Sequence, residues 1–354
     1  MRADVRARPP ARSGRRGWLP TEEDIANFRA AQRLAYEGAE AVAASLEPGV
    51  TELEAAGRLR SWLVARGVDD WFHVPFAWFG DRTAFRGFRT PLAFFPTGRR
   101  LEDGMAFILD CAPIVGGATA DIGYSGALGA NPAVAQMVDD LAEHRDLILD
   151  CVRQGRALRQ IYLEVDRLAT RQGFDNRHQV YPQRVLAHQV FPLPGRPSRG
   201  VVAGFGTRSL RSLVRRSLVA AGQGWSPLWS DARRCDHPPV PGLWAVEPHL
   251  GFGDVGVKFE ELLVVTPGDA YWLDEDVPHV RGRQRVGGPS QEGFEAPAGV
   301  AGEVLGTAGV DVPRPAGVDA TARAEVPRGL AGDAPGPARA DAPDPGRAGE
   351  VPAA

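Results

Sequence analysis

The sequence is poor in cysteine and contains no long apolar run. Its 354 residues include only three cysteines, Cys111, Cys151 and Cys235. Because they are odd in number and widely spaced, they form neither a disulfide framework nor a zinc motif, and a reducing, cytoplasmic location is the simplest interpretation. No stretch of about 18 apolar residues occurs, so no membrane-spanning helix is predicted.

Lysine is almost absent, and neither sign of charge is in large excess. Among 41 basic residues only Lys258 is a lysine, and the formal net charge is −3. This balance gives no electrostatic reason to expect a nucleic-acid partner.

The two ends of the chain differ in composition from the middle. Residues 1–20 are rich in arginine but lack the apolar core of a secretory signal, so we predict a disordered leader; a tether to nucleic acid or membrane is the weaker alternative. After about residue 285, prolines, glycines and alanines dominate, and Phe294 is the only aromatic residue. Such a composition buries too little apolar surface to offset its ordering entropy, which predicts a disordered tail over 285–354.

The middle of the chain begins with two predicted helices. Thr21 precedes an acidic first turn and apolar residues at helical spacing, which predicts a helix over 21–46. Thr51 and Glu54 have the spacing of a capping box and predict a second helix that ends near residue 66.

Blocks of strands and helices follow in alternation. Residues 71–129 have β character, residues 132–173 have helical periodicity, and residues 243–274 contain two further β runs. Residues 207–222 predict a short basic helix. This order indicates an α+β domain over 21–284.

Two carboxylates lie in an apolar hairpin. The runs "AFILDCAPIV" and "ATADIGYSGAL" flank the glycine pair 116–117, which predicts a β-hairpin that carries Asp110 and Asp121. Buried, unpaired carboxylates are costly, and two of them side by side repel each other. A bound divalent cation removes both problems; a strand-end position or pairing with Arg82 or Arg86 is the alternative.

Three more polar residues share this apolar β context. They are His188 in "LAHQV", Glu247 in "WAVEPHLGF" and Glu260 in "KFEELLVV". Four carboxylates and one imidazole form an oxygen-rich donor set that suits Mn²⁺, Fe²⁺, Co²⁺ or Zn²⁺. That many carboxylates favours two ions bridged by acids, with a bridging water or hydroxide.

These motifs together resemble the creatinase, methionine aminopeptidase and Xaa-Pro aminopeptidase superfamily, the "pita-bread" metallopeptidases called M24. The stretch "LEDGMAFILDCAPIVGGATADIGYSGALG" is similar to its two-aspartate motif, "AVEP" to I-E-P, and "GVKFEELLVVT" to G-[VI]-R-x-E-[DN]-x-[VL]-x-V-T. "EPGVTELE" resembles the segment x-PG-x-TE-x-E. The resemblance spans roughly residues 21–275 and implies an α+β pita-bread fold, with an antiparallel sheet core covered by helices.

The resemblance also implies roles for the polar residues. Asp110, Asp121, His188, Glu247 and Glu260 would bind two divalent ions (Mn, Co, Fe or Zn), with Asp121 and Glu260 as bridges. The implied activity is aminopeptidase P-like removal of N-terminal residues from peptides by attack of a metal-bridging hydroxide, with Glu247 as the proton relay.

The sequence departs from the family pattern around the expected substrate site. Family peptidases carry a histidine before the first aspartate, where this chain has Arg86; His73 lies upstream, and we expect one of the two to hold the substrate carboxylate or the oxyanion. No second histidine follows His188, and Ala187 and Phe191 replace the glycines that flank it in the family. Two alternatives therefore stay open: a creatinase-like hydrolase of a non-peptide C–N bond, and a non-catalytic binding module on the same fold.

The stretch between His188 and Glu247 is long for the family. We hypothesise an insertion over about 200–238 that lies close to the site and reshapes substrate choice. For its basic helix, a solvated face is the favoured interpretation, and an inserted lid is the alternative. The expected partners are a peptide or small-molecule substrate, with a homodimer left open and no membrane or nucleic acid. Because only about 20 residues precede the first helix, no creatinase-type N-terminal domain is expected.

Overall fold

The structure, a computed structural model, describes residues 17–197 and 200–281. The predicted tail over 285–354 lies outside the described residues, as does the predicted leader except for its last four residues. None of the described helices combines the length and apolar character that a membrane crossing requires.

Five α-helices lie in the described part of the chain. They are α1 (Glu22–Ala43), α2 (Glu52–Val64), α3 (Pro132–Arg153), α4 (Leu158–Arg171) and α5 (Thr207–Gly222). Thr21 and Thr51 cap the first two helices, each in a reciprocal capping box with the acid three residues on, Asp24 and Glu54. Both predicted N-terminal helices and the predicted basic helix are therefore confirmed, and the first two end two to three residues earlier than expected.

Fourteen strands are assigned in the described residues. In chain order they are β1 (Asp70–Phe79), β2 (Ala106–Val115), β3 (Ala118–Thr119), β4 (Ile122–Ala127), β5 (Asp175–Asn176), β6 (Ala187–Val190), β7 (Val201–Val202), β8 (Phe205–Gly206), β9 (Leu228–Trp229), β10 (Gly242–Val246), β11 (His249–Phe252), β12 (Val255–Lys258), β13 (Glu261–Val265) and β14 (Ala270–Trp272).

The strands form three sheets with antiparallel pairing throughout. The first has the order β3-β2-β1-β8-β7, with β4 also paired to β2; the second is β14-β13-β10-β6-β9; the third is β12-β11-β5. An isolated bridge between Gly123 and Glu260 ties the first sheet to the chain between β12 and β13. Antiparallel sheets with helices packed on them confirm the predicted α+β class.

Two apolar cores hold the helices to the sheets. Phe28 of α1 and Leu59 of α2 pack with residues of β1 and β2, including Leu109. Tyr162 of α4 and Trp244 of β10 belong to a second, separate core. Burial of such large apolar side chains contributes about 1.5–3 kcal/mol each to the stability of the fold. This packing holds the helices on the sheets.

Glu52 fixes the start of α2 to the far end of β1. Its fully buried carboxylate accepts hydrogen bonds from the Phe79 N–H (2.9 Å), from Arg82 Nε (2.8 and 2.9 Å) and from the Thr97 N–H and hydroxyl (2.8 and 2.6 Å). Glu52→Ala should lower the free energy of unfolding by about 3–5 kcal/mol, because it leaves Arg82 and two backbone donors unpaired. Urea denaturation measures this loss.

The matched control is Glu54→Gln in the same helical turn. Glutamine can also close the capping box with Thr51, so this variant should unfold at nearly the same urea concentration as the natural chain. Equal unfolding free energies for the two variants would contradict the role assigned to Glu52.

Candidate metal centre

The predicted hairpin brings its two aspartates to one place. Asp110 lies in the middle of β2, opposite Gly123 of β4, and Asp121 lies between β3 and β4. Both side chains are almost fully buried. Their Oδ1 atoms converge on the Nε2 of His73, at 3.3 Å from Asp110 and 3.1 Å from Asp121. Arg82 does not pair with either carboxylate, since it binds Glu52.

His73, on β1, presents a lone pair to these carboxylates when it is neutral. Its Nδ1–H donates to the Val74 carbonyl at 2.9 Å, so the unprotonated nitrogen of the neutral ring is Nε2. A lone pair that faces two carboxylate oxygens requires either a proton or a metal ion between them. Burial alone would lower the pKa of His73, but Asp121 and Asp110 raise it to about 9. The ring is thus placed as a metal ligand would be.

His188, on β6, approaches Asp121 from the other side. Its Nε2 lies 3.1 Å from Asp121 Oδ2 and 3.9 Å from Glu260 Oε1. Asp121 therefore gives one oxygen to each imidazole. Burial would raise the pKa of Asp121, but the two histidines hold it below its usual range.

Two groups of donors within 4.8 Å of one another result from this arrangement. One consists of His73, Asp110 and Asp121, and the other of Asp121, His188 and Glu260. Because Asp121 belongs to both, the donor set fits two cations that share a carboxylate.

The two glutamates stand at interruptions of the sheet ladder. Glu247 follows the last residue of β10, and Glu260 stands between β12 and β13. The backbone around them is anchored: the Glu247 N–H donates to the Leu186 carbonyl (2.9 Å), and the Tyr36 hydroxyl donates to the Glu260 carbonyl (2.6 Å). Burial, together with neighbouring acids, raises the pKa of both carboxyls. The structure thus brings all five predicted ligands into one buried cluster.

Lys258 is the member of the cluster to which the sequence reasoning assigned no role. Its buried Nζ donates to Asp110 Oδ2 (2.7 Å), Glu247 Oε2 (3.0 Å) and Glu260 Oε2 (2.9 Å). The three N–H groups of an ammonium match three acceptors. Its status as the only lysine of the chain, two residues before Glu260, was the available signal.

The carboxylate oxygens divide into two sets. Asp110 turns Oδ1 to His73 and Oδ2 to Lys258, and Glu260 turns Oε1 towards His188 and Oε2 to Lys258. Lys258 contacts one oxygen each of Asp110, Glu247 and Glu260, whereas the second oxygens of Asp110 and Glu260 and both oxygens of Asp121 face histidines. The oxygens on the histidine side therefore provide a negative, preformed site that fits divalent cations.

Arg86 is not brought to this cluster. Its side chain is 55% exposed and pairs with Asp254 at 2.7 Å on the turn that joins β11 and β12. The structure therefore gives no contact through which Arg86 could hold a substrate carboxylate beside the carboxylates of the cluster.

A cavity of about 270 Å³ opens above the cluster. Its walls include Phe76, Trp78 and Tyr181, and the predicted insertion contributes Phe205 and Leu213. Part of the segment 200–238 therefore lines the cavity beside the cluster. β8 reaches it by pairing with β1, where Phe205 stands opposite His73.

Tyr181 is a second residue of the site for which the sequence motifs predicted no role. Its hydroxyl lies 3.4 Å from Nδ1 of His249, whose Nε2–H donates to the Thr83 carbonyl at 2.8 Å. This bond fixes Nδ1 as the acceptor for the phenol. Burial raises the pKa of Tyr181 well above its ordinary value, so the wall presents a neutral O–H group at physiological pH.

Comparison with known proteins gives one family match and several structural neighbours. The sequence profile of metallopeptidase family M24 matches residues 26–267. The X-Pro aminopeptidase of Thermotoga maritima superposes with a TM-score of 0.53 at 16% identity, covering 72% of this chain and 62% of that one. Prolidase from Pyrococcus furiosus superposes with a TM-score of 0.53 at 16% identity, covering 72% of this chain and 64% of that one. Dipeptidase PepE from Mycobacterium ulcerans superposes with a TM-score of 0.52 at 20% identity, covering 74% of this chain and 60% of that one.

The match covers less than two thirds of each of these three proteins. At such identities the likeness establishes the fold, and it confirms the predicted pita-bread architecture. No curated protein matches the chain.

Proposed function

The chain belongs to metallopeptidase family M24, and from this premise we propose that it is a dinuclear metal-dependent hydrolase that removes N-terminal residues from peptides in the manner of aminopeptidase P. The observation that carries the proposal is the position of Asp121, whose two oxygens face two different imidazoles. A carboxylate shared in this way is what a two-metal site requires.

The side chains divide into two sets of ligands. His73, Asp110 and Asp121 would hold one ion, and Asp121, His188 and Glu260 the other. His73 would then be a ligand in addition to the five residues that the family pattern implies. The ions, when bound, supply the Lewis acidity that polarises a carbonyl group and activates water.

Glu247 is placed to move the proton. It lines the cavity, and Lys258 holds its Oε2 at 3.0 Å, so the carboxylate keeps one orientation at the wall beside the ligands. A fixed carboxylate at this position can take a proton from water and return it to the leaving nitrogen.

Tyr181 is placed to stabilise the charge that develops on the carbonyl oxygen. The accessory histidines of family peptidases are missing from the sequence, and His73 faces the aspartates. Tyr181 lines the cavity, and its neutral phenol would serve such an oxyanion by turning its O–H from Nδ1 of His249 to the substrate oxygen.

The test combines metal analysis with a peptide library. Protein purified without chelator and loaded with Mn²⁺ should bind two ions per chain and release N-terminal residues from Xaa-Pro or N-terminal Met peptides. Arg86→Ala should retain full activity, because this side chain pairs with Asp254 at the surface. Two bound ions without release of any residue would instead favour a creatinase-like reaction on a non-peptide C–N bond, and absence of metal would favour a binding module.

A further inference from the structure

The cavity above the metal ligands has rigid aromatic walls. Phe76 stacks on Trp78 with ring centroids 5.8 Å apart, and Phe95 meets Phe76 edge to face at 5.8 Å. Phe72 stacks on the His188 ring at 5.2 Å, and Phe205 packs on Phe72 at 5.9 Å. Rings held in this way form a preshaped apolar surface next to the cluster.

The described lining of this cavity contains neither arginine nor lysine. Behind the aromatic wall, Arg82 is engaged by Glu52 and by the carbonyls of Ala93 (3.1 Å) and Phe95 (2.9 Å). Arg234 donates to Oε1 of Gln183, a residue of the lining, and is engaged there. The charged groups of the lining are instead the carboxylates and histidines of the metal centre. A substrate carboxylate that entered the part walled by Phe76, Trp78 and Phe95 would lose its hydration without an arginine or lysine of the lining to pair with, which is strongly unfavourable.

Residues of the segment 200–238 line the same apolar space. Leu213 of α5 and Leu228 of β9 line the cavity together with Phe205. On the same helix, Leu218 is 71% exposed. This segment thus gives the cavity one of its walls, and α5 offers a matched pair of leucines, one at the cavity and one in solvent.

We propose that the cavity selects a substrate that carries an uncharged aromatic group directly beside the C–N bond to be cleaved, and that it rejects a carboxylate at this position. The proposal rests on the hydrolase function proposed above and specifies its substrate class. It favours amides and longer peptides with an aromatic residue over free dipeptides, whose terminal carboxylate would lie in the aromatic space.

Hydroxamates test this selectivity without any need for turnover, because the hydroxamate group chelates the metal ions. Three compounds are titrated calorimetrically into the Mn²⁺-loaded protein: acetohydroxamate, phenylacetohydroxamate and (4-carboxyphenyl)acetohydroxamate. The phenyl compound should bind at least about tenfold more tightly than the acetyl compound, and the added carboxylate should remove most of this gain.

Leu213→Ala should reduce the phenyl preference by about threefold or more, whereas Leu218→Ala should leave it unchanged. Similar affinities for the phenyl and acetyl compounds, or tighter binding of the carboxyphenyl compound, would overturn the cavity proposal and leave the metal centre intact. Failure of all three compounds to bind would overturn the proposed metal centre, and the substrate class with it.

Discussion

Asp121→Asn should abolish hydrolysis and the binding of both metal ions. The amide keeps the size of the carboxylate but removes the charge that both imidazoles and both ligand sets share. Groups that act as a unit commonly cost about 10⁴-fold or more in kcat when one is removed, so we expect a loss of at least that order on any peptide that the natural protein cleaves. Elemental analysis gives the metal content and steady-state assays give the rate.

His73→Phe distinguishes a shared ligand from a ligand of one site. The ring of His73 stacks with Phe76 at 5.2 Å, so phenylalanine fits among its neighbours. This variant should lose one ion and keep the other, since His188 and Glu260 are untouched. Asp254→Asn, at the surface beside Arg86, should bind both ions.

Retention of two ions by Asp121→Asn, with its near-ultraviolet circular dichroism unchanged, would refute the shared-ligand assignment.

Local signals in the sequence predicted the helices well. The capping boxes at Thr21 and Thr51 involve residues only three positions apart, so the chain carries the information without any tertiary contact. The glycine pair at 116–117 has positive φ at both residues, and a turn lies there between β2 and β3 as predicted.

The strands near the two glutamates were predicted less well. Each of the two β runs predicted over 243–274 is split in two, the first between β10 and β11 at Glu247 and the second between β12 and β13 at Glu260. Pro248 was a signal for the first break, because proline cannot donate to a ladder. Such breaks are difficult to predict within a continuous apolar run. Here Glu247 and Glu260 stand at the breaks, and both side chains belong to the site.

The contacts of the site that join strands far apart in the sequence could not be predicted from the sequence. The ligand types and the two-aspartate spacing could be read from motifs, whereas the approach of His73 to Asp121 spans 48 residues and that of Lys258 to Asp110 spans 148. Pairing of strands so far apart is decided by packing and register, which a single sequence does not fix. The same holds for Arg86, whose position in a motif suggested a substrate contact that its surface pair with Asp254 does not provide.

Lys258→Met should destabilise the metal-free protein strongly and make its stability depend on metal. Methionine fills the space of the lysine stem but leaves the outer oxygens of Asp110, Glu247 and Glu260 without their common cation. Removing one partner of a buried ion pair costs about 3–5 kcal/mol, and here three carboxylates lose the same partner. Urea denaturation in the presence of chelator should therefore show a loss at the upper end of this range.

Lys258→Arg separates the effect of charge from that of shape. The lysine stem packs so closely that a Cβ on Gly123 would lie 2.6 Å from its Cε, so the larger arginine is strained although it keeps the charge. If charge dominates, the arginine variant should be more stable than the methionine variant without metal. Mn²⁺ at about 100-fold its dissociation constant adds about 2.7 kcal/mol to the free energy of unfolding of a protein with one site. The methionine variant should gain more stability from Mn²⁺ than the natural protein, because bound ions replace part of its missing positive charge. The opposite result, a Lys258→Met protein more stable than Lys258→Arg in chelator, would mean that the ammonium does not balance the ligand carboxylates. The division of oxygens between Lys258 and the metal ions would then be wrong.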